Sequence, residues 1–277
     1  KQLIDLLGER GVRIPPRSVY RLIKDTAGAL EAAYFKVPYG LTEPLRVIHR
    51  DIKPSNVMID IEGEVKVLDF GTARFNHEAR AARTGVLRFG SMKYMSPERR
   101  VGDRGDHASD IYALGLLFFE MLTGRTLPLL PLDKNEHDQF VDDQLAAMTE
   151  LGLPNDQWED SLRQTMARMV AHDPRERLQA GQVAQLMLAF ADQATGESLD
   201  AFASSTITDL VRQIYGGSGQ GALSGSRVFV AMSTSGDHSQ PRLREGVVAT
   251  ASLPGDGGDG APDIGAPGDA SPAPAQT

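Results

Sequence analysis

The stretch His49-Arg50-Asp51-Ile52-Lys53-Pro54-Ser55-Asn56, followed by Leu68-Asp69-Phe70-Gly71, decides the reading of this chain. The first string places a carboxylate (Asp51), an ammonium (Lys53) and a carboxamide (Asn56) on one short loop. The second places another carboxylate, Asp69, before a flexible glycine. Between them, Val57–Ile59 and Val65–Leu68 are β-prone runs separated by Glu62-Gly63. That pattern predicts a hairpin, which returns the chain to the same cleft. Transfer of a phosphoryl group to a hydroxyl needs this set of groups: a base for the proton, a cation to steady the moving group, and oxygen ligands for Mg²⁺. Taken singly, each residue has a plainer reading. Asp51 and Lys53 suit a solvated loop, and Asn56 suits a turn bonded to its own backbone.

Three further strings follow in order: Gly90-Ser91-Met92-Lys93-Tyr94-Met95-Ser96-Pro97-Glu98, then Asp110-Ile111-Tyr112-Ala113-Leu114-Gly115, then His172-Asp173-Pro174-Arg175-Glu176-Arg177. With all five, residues 1–192 resemble the C-terminal, large lobe of a eukaryotic-type Ser/Thr protein kinase of the bacterial kind. One departure is Ser96, where that family usually has alanine; both are small.

The resemblance implies roles, position by position. Asp51 would accept or orient the substrate hydroxyl proton. Lys53 would contact the γ-phosphate, and its presence favours Ser/Thr over tyrosine as acceptor. Asn56 and Asp69 would hold Mg²⁺, with Ser55 and Met58 also at the nucleotide and Met58 as floor of the adenine pocket. His49 and Phe70 would join a packed column linking two lobes, so His49 is not expected to act as a base or ligand. Asp110 would anchor the backbone of the 49–56 loop, and Glu98 and Arg177 would form a buried ion pair. Ser91 would contact Asp51 and Lys53. Arg50, directly before Asp51, matches kinases activated by phosphorylation, since an arginine binds a phosphate bidentately. Thr84 is then the first candidate for autophosphorylation, although an unmodified loop threonine fits the sequence as well. The implied cofactors are ATP and Mg²⁺, and the implied partner is a protein bearing Ser or Thr.

The small lobe of that family is not found in the sequence. Gly8 and Gly11 do not make a Gly-rich phosphate loop, and Lys24 and Lys36 do not follow a Val-Ala-Ile strand. The expectation is therefore a kinase fragment, which by itself should transfer no phosphate and bind ATP weakly. The alternative is an inactive pseudokinase or a protein-binding scaffold built on the same lobe. Intact Asp51, Lys53, Asn56 and Asp69 favour the enzyme.

Composition bounds the rest. The 277 residues carry a net charge of −8, which argues against nucleic-acid binding as the main task. Hydrophobic content of 41% suffices for a core, and the lack of cysteine excludes disulfides and thiolate zinc sites. The apolar run Ile111–Phe119 is too short to cross a bilayer and fits a buried central helix. A cytoplasmic location is the expectation.

The predicted fold is mainly α: a kinase large lobe with a short β-hairpin at the catalytic cleft, followed by a disordered tail. Helical periodicity starts at Gln2 and stops near Gly8, resumes after Pro15-Pro16, and covers 109–123 with Gly124 as terminator. Helices are also expected near 138–150, 156–170 and 179–193. Residues 193–252 read as a linker or weakly structured region, within which Val228–Met232 fits either a strand or a docking segment. Residues 253–277, rich in Gly, Pro, Ala and Asp, read as disordered.

Overall fold

The computed structural model describes residues 3–70, 92–215 and 229–231. Thr84, Ser91 and the tail from residue 253 lie outside the described residues.

The architecture is a helical body with one small sheet on it. Helix α1 spans Leu3–Glu9 and α2 spans Pro16–Phe35, started by Pro16 at its first position. After the 49–56 loop come strands β1 (Val57–Asp60) and β2 (Val65–Val67). A short helix α3 (Pro97–Arg100) precedes α4 (His107–Thr123), α5 (Lys134–Ala146), α6 (Asp156–Met169) and α7 (Ala180–Gln193). Helices α8 (Leu199–Phe202) and α9 (Thr208–Tyr215) follow, joined by a π-helical turn over Ala203–Ile207, and β3 (Phe229–Ala231) comes last.

Helix α4 is the axis. Every residue from Ala108 to Leu122 is buried, so this helix has no solvated face and must lie inside the body. Its ends are set locally. The Asp106 carboxylate accepts the Ala108 N–H at 2.8 Å, and Gly124 closes the helix at φ +68. Gly115 in its middle lets the end of α6 approach, since a Cβ there would lie 2.6 Å from Val170 Cγ1. Tyr20 of α2 then meets Phe118 of α4 and Phe190 of α7, each at 5.9 Å between ring centroids. Three helices thus share one aromatic contact, and the buried Tyr20 hydroxyl is satisfied by Leu151 O at 2.5 Å.

The hairpin forms as the sequence suggests, with register Val57↔Val67 and Ile59↔Val65. Gly63 turns at φ +85, and the Asp60 carboxylate accepts the N–H groups of Glu62 and Glu64. The ambiguous segment near 228–232 is a strand. Phe229–Ala231 pairs antiparallel with β1, giving the sheet order β2-β1-β3.

Two expectations need correction. The helix expected at 138–150 lies at Lys134–Ala146, because Asp133 caps it by accepting the N–H groups of Asn135 and Glu136. Residues 199–215 are not a weakly structured linker. Leu199, Phe202, Ala203, Ile207, Leu210 and Val211 are buried in the common core. This extension also braces the hairpin, since a Cβ on Gly63 would lie 3.0 Å from Asp200 Cα. Among the described residues no helix is long and apolar enough to cross a membrane.

Candidate active site

Buried Ile52 and Pro54 seat the 49–56 loop on the core, and polar clamps set its shape. Asp110, at the start of α4, is buried and accepts two backbone N–H groups, His49 on Oδ2 and Arg50 on Oδ1, both at 2.7 Å. Burial pushes its carboxyl above the ordinary value, while the two amides, His49 and the neighbouring Arg99 guanidinium act against the rise. Arg50 has φ +66, a left-handed backbone that costs a non-glycine residue about 1 kcal/mol or more. Surrounding contacts must over-determine it, and the two Asp110 bonds are part of that constraint.

His49 is buried and uses both ring nitrogens structurally. Nδ1 accepts the Asp51 N–H at 3.2 Å, so Nε2 carries the proton and donates to Leu68 O at 2.6 Å. The Leu68 N–H in turn donates to Asn56 O at 2.8 Å. Leu68, directly before Asp69, is therefore fastened at its C=O by His49 and at its N–H by Asn56. Phe70 packs edge-on against His49 at 4.8 Å between ring centroids. This set of bonds carries Asp69 back to the 49–56 loop. Asp69 itself is exposed and, like Arg50, left-handed, at φ +62.

Three of the candidate groups meet around Asp51. Lys53 Nζ contacts Asp51 Oδ2 at 2.6 Å, and Asn56 Nδ2 donates to Asp51 O at 2.7 Å and to Oδ2 at 3.2 Å. Asp51 Oδ1 accepts no hydrogen bond from the described residues. The Asp51 side chain is 41% exposed and Lys53 23%, so solvent reaches both groups. Asn56 is buried, with its amide nitrogen committed to Asp51. Its amide oxygen is then the atom left for a ligand. Ser55 and Met58 are half-buried, and Met58 is the one residue of β1 not fully buried.

Below the loop, Glu98 and Arg177 form a bidentate pair, Nη1–Oε1 and Nη2–Oε2 both at 2.8 Å. Arg177 is buried and also donates to the carbonyls of Ala171, Ala108 and His172. Burial alone would raise the Glu98 carboxyl. The Arg177 guanidinium, doubly hydrogen-bonded and charged beside it, outweighs this and holds the group at about 2. Two partners were not singled out from the sequence. Ser109 donates to Glu98 Oε1 at 2.8 Å, and Arg99 donates to Arg50 O at 2.6 Å. Arg99 lies in a polar run, Pro97-Glu98-Arg99-Arg100, which by itself reads as solvated surface.

The profile of the family described as Protein kinase domain matches residues 1–188. This chain belongs to the protein kinase family. Among the curated relatives, the serine/threonine-protein kinase PknL of Mycobacterium tuberculosis is 38% identical over 124 residues, 45% of this chain and 28% of the relative. The tyrosine-protein kinase MasK of Myxococcus xanthus is 41% identical over 119 residues, 43% of this chain and 18% of the relative. The serine/threonine-protein kinase PknB of Mycobacterium leprae is 35% identical over 111 residues, 40% of this chain and 16% of the relative. The matched stretch thus spans less than a third of each relative. The kinase large-lobe fold and the likeness to bacterial Ser/Thr kinases agree with the sequence resemblance.

Proposed function

We propose that the protein is an ATP-dependent protein Ser/Thr kinase and that this chain supplies the large-lobe wall of its cleft. One observation carries the reading: the Asp51 carboxylate is gripped through Oδ2 by Lys53 and Asn56, its Oδ1 takes no bond from the described residues, and the side chain is reached by solvent. A base held at one oxygen and open at the other suits a substrate hydroxyl. As that oxygen attacks the γ-phosphorus and ADP departs, Asp51 takes the proton. Lys53 places its positive charge beside the transferring group, where charge spreads over the equatorial oxygens.

The donor set fits Mg²⁺. Asn56 offers its amide oxygen and Asp69 an exposed carboxylate, both oxygen ligands suited to a hard cation. Bound there, the ion would neutralise phosphate charge. Ser55 and Met58 border the nucleotide in this reading. Arg50, half-buried beside Asp51, would receive a phosphate placed on Thr84. Ser91 would bond to Asp51 and Lys53.

The acceptor class is tested by incubating the full-length protein with γ-labelled ATP, Mg²⁺ and a generic protein substrate, then hydrolysing the product. Phosphoserine or phosphothreonine is the expected label. Phosphotyrosine alone would overturn the acceptor class, as the name of the relative MasK makes worth testing. No incorporation by well-folded protein would leave the scaffold reading standing.

A further inference from the structure

The peptide that joins Arg50 to Asp51 is clamped at both of its polar atoms. Its N–H, on Asp51, donates to His49 Nδ1 at 3.2 Å, and its C=O, on Arg50, accepts from Arg99 Nη1 at 2.6 Å. The orientation of this peptide plane sets the direction in which Asp51 presents its carboxylate. Arg50 is left-handed, so its backbone does not hold this orientation by its own preference. Asp110 fixes the preceding N–H group, and Arg99 is the side chain that fixes the carbonyl.

A second observation concerns the path of the Arg99 side chain. Gly105 has φ +66, and a Cβ there would lie 2.7 Å from both Cγ and Cδ of Arg99 and 2.4 Å from Ser109 Oγ. The missing side chain at 105 therefore makes the channel through which the Arg99 stem reaches the loop. A surface arginine needs no such channel.

We propose that Arg99 is a positioning residue: it acts through the Arg50 carbonyl to aim the Asp51 carboxylate, and Gly105 leaves the space that allows it. The activity readout rests on the kinase reading above; the structural readout does not. A lysine keeps the charge and one donor but lacks the planar fork, so it should restore the function in part.

The test uses three variants of the full-length protein. Arg99→Met keeps a long stem and removes the donor. Arg99→Lys keeps a donor, and Gly105→Ala crowds the stem, and Ser109 Oγ with it, while leaving the guanidinium in place. For Arg99→Met, kcat should fall about 10²-fold, the scale of a small misplacement of a reacting group, with KM for ATP nearly unchanged. Arg99→Lys and Gly105→Ala should lie between Arg99→Met and wild type. In parallel, hydrogen exchange should quicken in peptides covering 49–53 of Arg99→Met and Gly105→Ala, while α4 stays protected. Wild-type kcat together with wild-type exchange in the loop of Arg99→Met would overturn the proposal. So would loss of protection throughout α4 in both Arg99→Met and Gly105→Ala, which would make Arg99 a general stabiliser. If wild-type protein transfers no phosphate, the kinase reading fails alone, and exchange in the loop decides the role of Arg99.

Discussion

The 49–56 loop and helix α4 are in direct contact and differ in the balance of forces that holds them. Helix α4 is stabilised by apolar burial along its whole length, a non-directional force spread over many side chains. The loop is seated on the core by the buried Ile52 and Pro54, and its shape is set by a few directional bonds: Asp110 to two amides, His49 to Leu68, and Arg99 to Arg50. The loop also contains a left-handed residue, Arg50, that those bonds help to retain. The difference teaches that stability and chemical geometry are separable here. A change among the apolar side chains of α4 should unfold the protein before it alters chemistry, whereas a change in the polar groups of the loop should alter chemistry while the body stays folded.

The largest expected effect on the loop side is at Asp69. Asp69→Ala should remove the Mg²⁺ dependence of ATP binding, since it deletes a charged ligand. Calorimetry of the full-length variant with and without Mg²⁺ measures this, and an unchanged dependence would take Asp69 out of the metal site. The matching break on the helix side is Phe118→Ala. Phe118 is fully buried between Tyr20 and its neighbours, and its loss should cost about 3–5 kcal/mol in denaturant unfolding. A loss below about 1 kcal/mol would mean that α4 is not the axis of the core.

The Glu98–Arg177 pair is bonded to the start of α4 through Ala108 and Ser109 and carries a pH dependence. The folded protein holds the Glu98 carboxyl at about 2, below an unfolded value of about 4.3. Its contribution is therefore complete above about pH 4.3 and is lost as pH falls toward about 2, to a total of about 3 kcal/mol. Urea unfolding across that window should show this loss in wild type and a flatter profile in Glu98→Gln. Parallel profiles would mean that the pair does not set the acid response. The smallest effect is a cap. Asp106→Ala removes the acceptor for Ala108 N–H and should cost about 1 kcal/mol, read as a lower melting temperature with kcat unchanged.

Much of the body was legible in the sequence, for reasons that differ by element. The apolar run and Gly124 announced α4, and Pro15-Pro16 with the spacing of Val19, Leu22, Ile23 and Leu30 announced α2. The register of α5 was misread because its first turn is polar and its start is set by the Asp133 cap alone. The 199–215 extension was misread although its buried positions recur at helical spacing. The polar run Ser204-Ser205-Thr206 reads as linker and masks that pattern. Within the site, the strings around Asp51 and Asp69 name the groups but not what fixes them. The clamps by Arg99 and Ser109 arise from contacts distant in sequence from the loop and from Glu98, and Gly105 becomes meaningful only once the Arg99 stem is placed.

Asp51→Asn in the full-length protein is the most direct test of the account. The amide is nearly isosteric, so the loop, the fold and Mg²⁺-ATP affinity should persist. Phosphate transfer to a protein hydroxyl should fall by roughly 10²–10⁴-fold, the scale for a positioned proton acceptor. Turnover within about threefold of wild type, with wild-type contamination excluded, would contradict the claim that the Asp51 carboxylate receives the hydroxyl proton.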